Sequence, residues 1–327
     1  MRILRLLAVG LAIIAAAAIV VVAAHHDAAT AGPPRPATIT SAPPVTLPAA
    51  PGSYLGVYAA GVPGSLAGVN AFARQTQTRP NLVVCFSGWR EPFQAGFAAA
   101  AAGSGAVPVI QIEPARVRLA AIATGRYDGY LSSYATAVRD YRHPVILSFG
   151  HEMNGFWYSW GYGHTPARVF VAAWRHVVSL FRTVGADNAT WLWTVNVMHD
   201  AAHGRIPDPS PWWPGPSYVN WVGIDGYYFS APSTFASLFG PTIAAVHQLA
   251  GRDPVLIAET AAASASQQVQ ATQIGDLFQG VRAFGLLGLV WFDARGSRDW
   301  RLRGSPGIAA FHRAAGPYMR SAAMIPP

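Results

Sequence analysis

Pro144-Val145-Ile146-Leu147-Ser148-Phe149, followed further on by the helically spaced stretch from Ala167 to Val184, is the segment that decides the fold. Six β-prone residues opened by a proline suit a buried strand, because the missing N–H does least harm at the first position. Past it, Pro166 stands where the first turn of a helix tolerates proline. Val169, Phe170, Ala173, Trp174, Val177, Val178 and Phe181 recur at intervals of three and four residues, and Gly185 follows the last turn. The same alternation repeats outward along the chain. Short apolar runs at Tyr54–Tyr58, Leu82–Phe86, Val107–Ile112, Thr190–Val195, Trp221–Asp225, Pro254–Ala258 and Leu286–Trp291 join Pro144–Phe149, and further helical stretches lie at Phe93–Ala102, Tyr130–Tyr141, Phe235–Ala250 and Val269–Phe284. Eight strand and helix units over residues 52–322 predict an α/β fold of one catalytic domain, the (β/α)8 TIM barrel, which needs about 250 residues. A doubly wound open sheet is the runner-up, but no G-x-G-x-x-G follows the first run.

Composition fits a large core. The 327 residues are 52% hydrophobic and only 12% charged, which excludes a disordered chain. The N-terminus differs from the rest. Arg2 and Arg5 precede an apolar run from Leu6 to Ala24, long enough as a helix to approach the ~30 Å hydrocarbon core, and Ala29-Thr30-Ala31 offers an A-x-A cleavage site. Residues 1–24 therefore read as a signal peptide or an N-terminal signal anchor, and either predicts an extracytoplasmic protein, secreted or held at the outer face of the membrane. Residues 25–51, rich in Pro, Ala and Thr, read as a linker. The formal charge is +8 and every basic residue is Arg, spread singly. That pattern does not suit nucleic acid, though a basic exterior could hold the protein near anionic polymers. Cys85 is the single cysteine, so no intrachain disulfide or cysteine zinc site is expected, and its strand context predicts a buried thiol.

Glutamate is rare and its placement is informative. Glu91, Glu113, Glu152 and Glu259 are the only four, and each falls at or just past the end of a predicted strand. Glutamate normally decorates exposed helices, whereas barrel enzymes keep their sites at the C-terminal ends of the strands. Aromatic residues gather at the same ends, among them Trp89, Phe156, Trp157, Trp160, Trp193, Trp212, Trp213, Tyr227, Tyr228 and Trp291. Carboxylates beside aromatic planes suit sugars, whose C–H faces stack on rings while their hydroxyls take polar partners. The pattern points to glycoside hydrolysis.

The string Ser148-Phe149-Gly150-His151-Glu152-Met153-Asn154-Gly155-Phe156-Trp157-Tyr158-Ser159-Trp160-Gly161 closely resembles glycoside hydrolase family 26, best known for β-mannanases. Further matching strings are Phe86-Ser87-Gly88-Trp89, Glu113-Pro114, Ala173-Trp174-Arg175-His176-Val177, Trp221-Val222-Gly223-Ile224-Asp225-Gly226-Tyr227 and Ile257-Ala258-Glu259-Thr260. The resemblance implies a retaining enzyme with Glu152 as acid/base and Glu259 as nucleophile. It also implies His151 near the reacting sugar, Trp157 and Trp291 as walls of that subsite, and Tyr227 in contact with the nucleophile. Ile112 stands where many mannanases carry Trp, and Ser217 and Asn220 where aspartates are frequent, so mannan is a family-level inference.

Retention requires the two carboxyls about 5–5.5 Å apart, one ionised to attack and one protonated to release the leaving oxygen. Tyr227 would hold Glu259 ionised, and a negative neighbour and apolar rings would keep the proton on Glu152. Asn154 and Asn196 are candidates for binding hydroxyls or for capping the segments after them. Glu113 either positions substrate or pairs with Arg90 or Arg116, and Trp89 and Trp193 are candidate sugar platforms. His151-Glu152 lacks the second histidine of a zinc protease, since residue 155 is Gly155. His199 and His203 flank Asp200, but in a loop. No metal or cofactor is expected. The expected partner is a β-linked polysaccharide met by a monomer, with no nucleic acid and at most a single membrane anchor. β-Mannan comes first as substrate. Mixed-linkage glucan or xylan cut by the same mechanism, and a carbohydrate-binding envelope barrel without turnover, are the alternatives.

Overall fold

The computed structural model describes residues 47–200, 202–263 and 266–321. The apolar run Leu6–Ala24 and most of the linker lie outside the described residues. Among the described residues, no helix is long and apolar enough to cross a membrane.

Eight parallel strands form a closed barrel: β1 Tyr54–Ala59, β2 Leu82–Gly88, β3 Val107–Glu113, β4 Val145–Phe149, β5 Ala189–Asn196, β6 Trp221–Asp225, β7 Val255–Thr260 and β8 Gly288–Asp293. Neighbours pair in chain order, and β8 closes on β1 through Tyr54↔Gly288 to Ala59↔Asp293. Successive side chains of a strand point to opposite faces, so each strand feeds two cores. Tyr54, Leu82, Val84, Val107, Val109, Ile146, Leu192, Trp221 and Leu256 fill the lower barrel, where the rings of Tyr54 and Trp221 meet at 4.9 Å across non-adjacent strands. Leu47 is buried in this cluster and Pro48 O accepts from the Tyr54 hydroxyl at 2.7 Å, so the packed body includes residues ahead of Gly52. The alternate residues, including Val57, Cys85, Ile110, Leu147, Trp191, Trp193 and Trp291, face the surrounding helices. Burial pushes the Cys85 thiol up to about 12, which keeps it an unreactive core group.

Helices α1 Ala67–Thr76, α2 Ala95–Gly103, α3 Leu119–Ala123, α4 Asp128–Tyr141, α5 Ala167–Val184, α6 Phe235–Leu238, α7 Gly240–Ala250, α8 Gln267–Ala283 and α9 Gly304–Ser321 form the outer layer. In α5 the apolar stripe is buried, and Gly185 ends the helix in the left-handed conformation at φ 81°. The single helix expected over Phe235–Ala250 is two. Pro241 has no N–H to donate and its ring crowds the carbonyl one turn back, so α6 stops and α7 restarts with proline in its first turn. The last strand also differs from the expected Leu286–Trp291: it begins at Gly288 and runs to Asp293. Gly288 adopts φ 152°, and a Cβ there would sit 1.8 Å from the Tyr54 carbonyl oxygen, so only glycine lets β8 lie against β1.

Candidate active site

All four glutamates are found at the C-terminal mouth, as their positions predict, but their surroundings differ. Glu152 lies three residues past β4 with φ 53°, a left-handed conformation costly for a residue with a Cβ. Its N–H donates to Thr194 O on β5 at 2.9 Å, which holds that turn in place. Its carboxylate accepts from Trp157 Nε1 at 2.7 Å and from Asn196 Nδ2 at 2.5 Å. Glu259, on β7, accepts from the Tyr227 hydroxyl. Protein surrounds Glu259 closely although one face stays partly open to the mouth. Burial first and the charge of Glu152 second push its carboxyl up to about 8, against the opposing pull of the Tyr227 hydrogen bond.

A third carboxylate completes the group. Asp225, the last residue of β6, is fully buried, neither of its oxygens has a hydrogen-bond partner, and burial together with the charges of Glu259 and Glu152 holds its pKa well above the usual range. It was legible only as a letter in the β6 string; its inward orientation follows from strand alternation, two residues ahead of Tyr227. His151 is 2% exposed, and burial lowers it to about 3, so it is a neutral imidazole whose Nε2 shares a 3.1 Å hydrogen bond with the Tyr158 hydroxyl. Trp160 supports this loop from beneath, stacking on Tyr158 at 4.3 Å and donating to His151 O at 2.8 Å.

Several residues proposed as sugar contacts are occupied elsewhere. Asn154 uses its whole amide to tie the loop after β4 to the end of β5, donating to Asn196 O and Pro207 O and accepting from Asn196 N. It is neither a cap nor open to a hydroxyl, whereas Asn196 is turned to Glu152. Trp193 and Trp291 are fully buried on the helix-facing side of their strands, against Trp213 at 5.0 Å and Phe311 at 5.5 Å. The ring β8 presents to the mouth is instead Phe292, stacked on Tyr58 at 4.6 Å and 6.0 Å from Tyr227. A shift of one residue along a strand reverses the face, which is the physical reason for the difference. Trp89 packs edge-on against Tyr127, Tyr130 and Phe149. Glu113 makes no ion pair with Arg90 or Arg116 among the described residues, and burial and the charge of Glu91 raise its pKa. His199 and Asp200 pair with Gly204 and Arg205 in a short hairpin, and no group of metal-ligating side chains assembles among the described residues.

A curved row of rings joins the two glutamates. Trp157 lies 4.7 Å from His203, His203 6.2 Å from Phe229, Phe229 5.1 Å from Trp300, and Trp300 4.4 Å from Tyr227. One end of the row bonds Glu152 and the other Glu259. Two coupled carboxylates, a neutral imidazole and an aromatic wall can move a proton and stabilise a cationic carbon next to a ring-shaped ligand.

The sequence profile of glycosyl hydrolase family 26 matches residues 121–265, which hold both Glu152 and Glu259. Endoglucanase H of Acetivibrio thermocellus is 27% identical over 270 residues, covering 78% of this chain and 30% of that protein. Beta-1,3-xylanase TXYA of Vibrio sp. is 30% identical over 110 residues, 33% of this chain and 22% of that protein. The chain thus spans under a third of the length of these relatives. An endo-beta-1,4-mannanase double mutant of Cellulomonas fimi superposes with a TM-score of 0.62 at 14% identity, over 82% of this chain and 72% of that one, which speaks for the barrel alone. The profile match falls across the two glutamates of a closed eight-stranded barrel, so the part of the chain that carries both is similar to glycosyl hydrolase family 26.

Proposed function

We propose that the protein is a retaining endo-β-glycanase, with β-1,4-mannan as the first substrate, Glu259 as nucleophile and Glu152 as acid/base. The observation that carries this reading is that Glu152, just past β4 and bonded by Trp157 and Asn196, and Glu259, on β7 and bonded by Tyr227, stand at one mouth of the barrel. Burial and the charge of Glu152 raise the carboxyl of Glu259 to about 8, so Glu259 carries a proton at neutral pH before substrate enters. When a sugar enters, the positive charge growing at its anomeric carbon favours the ionised form of Glu259, and the proton belongs on Glu152 for the leaving oxygen. Glu259 attacks, the glycosidic C–O bond breaks, and Glu152 transfers its proton to the departing chain. The ester cancels the charge of Glu259, so Glu152 can then take a proton from water, which attacks the same carbon. Asp225, kept neutral by its surroundings, adds no third negative charge.

The relatives are described as acting on different β-glycans, so mixed-linkage glucan or xylan are alternatives served by the same residues. The arginine-led run Leu6–Ala24 and the linker after it support action outside the cytoplasm. The test is hydrolysis of a glycan panel, followed by proton spectroscopy of the first product. Reducing ends that appear as the β-anomer are expected; a first product that is α would remove the double displacement.

The pH response gives a second check. Inactivation by an activated 2-fluoro glycoside requires only an ionised nucleophile, so its rate should rise with pH, reach half its maximum near 8 and level off above that. Glu152→Gln deletes the charge that raises Glu259 and should move the midpoint down. Tyr227→Phe deletes the donor that lowers it and should move the midpoint up. Shifts in the same direction would contradict the assigned causes.

A further inference from the structure

The segment between β8 and α9 brings Arg295, Arg298, Arg301 and Arg303 to the mouth of the barrel. Three of them converge on one acid. Arg295 and Arg301 reach Asp299 at 3.2 and 2.8 Å, and Arg303 joins them. Arg298 differs. Its guanidinium lies over the Phe229 ring, 5.1 Å from the centroid, and Nη1 donates to Phe229 O at 3.3 Å. No carboxylate pairs with it among the described residues. Its side chain is exposed, yet two contacts and a folded loop fix its place: Trp300 N–H donates to Ala294 O at 3.0 Å and Gly296 N–H to Arg298 O at 2.8 Å.

Phe229 is the middle ring of the row whose ends bond Glu152 and Glu259. A sugar chain lying along that row passes beneath Arg298. A guanidinium held by a ring face and a carbonyl keeps most of its N–H fork free, and that fork matches a carboxylate in two parallel hydrogen bonds. Neutral hydroxyls need no such partner. The four arginines of this segment outnumber its one aspartate, Asp299, so the segment is locally positive and attracts an anionic group before contact. We propose that the site prefers a β-glycan bearing carboxylates, that is, uronic acid units, and that Arg298 is the residue that selects them. This rests on the hydrolase reading above and narrows its substrate class.

The test compares glucomannan with the same polymer after partial oxidation of its C6 hydroxyls to carboxylates, using the full chain. The selectivity is the ratio of kcat/KM on the oxidised polymer to that on the neutral one. We expect wild-type protein to favour the oxidised polymer in dilute buffer, with the preference fading near 1 M salt, where screening reaches about 3 Å. Arg298→Gln should lower the ratio about three- to tenfold, a range set by one charge-assisted contact at an exposed site. Arg252→Gln removes the same charge just ahead of β7, at the other end of the barrel, and should leave the ratio unchanged. A wild-type ratio of one or less, or an equal fall in both variants, overturns the proposal. Retardation of the same proteins in gels containing each polymer reads the preference without turnover. If no glycan is cut but the oxidised polymer still retards wild type more than Arg298→Gln, the hydrolase reading fails and the carboxylate site stands.

Discussion

Glu259→Ala should reduce hydrolysis of any β-glycan substrate by about 10⁴-fold or more, because the alanine cannot form the covalent intermediate. Glu152→Ala should behave differently. With an unactivated sugar leaving group the loss should be about 10²–10⁴-fold, the usual worth of general acid and base assistance. With a dinitrophenyl leaving group, which departs without a proton, formation of the ester should survive and its hydrolysis should become limiting. Added azide should then speed Glu152→Ala, since it needs no base, and should yield the β-glycosyl azide. In Glu259→Ala the alanine leaves room on the other face, and azide should give the α-product. Identical azide products from both variants would sink the division of labour. Unfolding does not offer a rival explanation for the loss at Glu259. Burial raises its carboxyl to about 8 in the folded state, so the stability tied to this group is present at low pH and is lost as pH rises toward that value. Removing the group should leave thermal stability at neutral pH equal or higher.

The barrel was legible because strand and helix periodicities alternate between Tyr54 and Asp293 everywhere but in the long connection from β5 to β6, and because all four glutamates collect at the strand ends. Much of what escaped has one physical origin: periodicity locates an element better than its exact bounds. Ending the last strand at Trp291 instead of Asp293 leaves Phe292 outside it, so alternation is never used to set Trp291 on the helix-facing side and Phe292 at the mouth. Trp193 shows the same ambiguity on β5, where a tryptophan suits either face. Asn154 is legible as a polar residue beside the acid/base candidate, but only folding reveals that its amide is spent on Asn196 and Pro207. Asp225 and Trp300 are of another kind, since no local pattern says that a lone aspartate will be sealed among carboxylates or that a loop tryptophan will brace Tyr227.

Trp174→Ala should cost about 3–5 kcal/mol of folding stability, the range for removing a large buried aromatic side chain. Trp174 is fully buried on α5, with ring centres 6.3 Å from Phe149, 6.2 Å from Phe170 and 6.0 Å from Trp191, and its Nε1 donates to Tyr218 O at 3.0 Å. Truncation opens a cavity among rigid rings that cannot collapse onto alanine, and leaves a carbonyl without its donor. Trp174→Phe refills most of the volume but still lacks the N–H, so it should cost only about 1–2 kcal/mol. Denaturant unfolding at constant m-value separates the two. Phe149 ends β4 three residues before Glu152, and Trp191 lies on the strand whose Asn196 donates to Glu152, so Trp174 braces both strands that set that carboxylate. A domain holds about 5–15 kcal/mol in all, so the alanine variant should stay folded at low temperature with a weakened support under Glu152. Its kcat on an unactivated glycan should therefore fall further than its kcat on a dinitrophenyl glycoside, which makes no demand on the proton. A cost below about 1 kcal/mol, or equal falls on both substrates, would show that the outer layer of this barrel does not position the site.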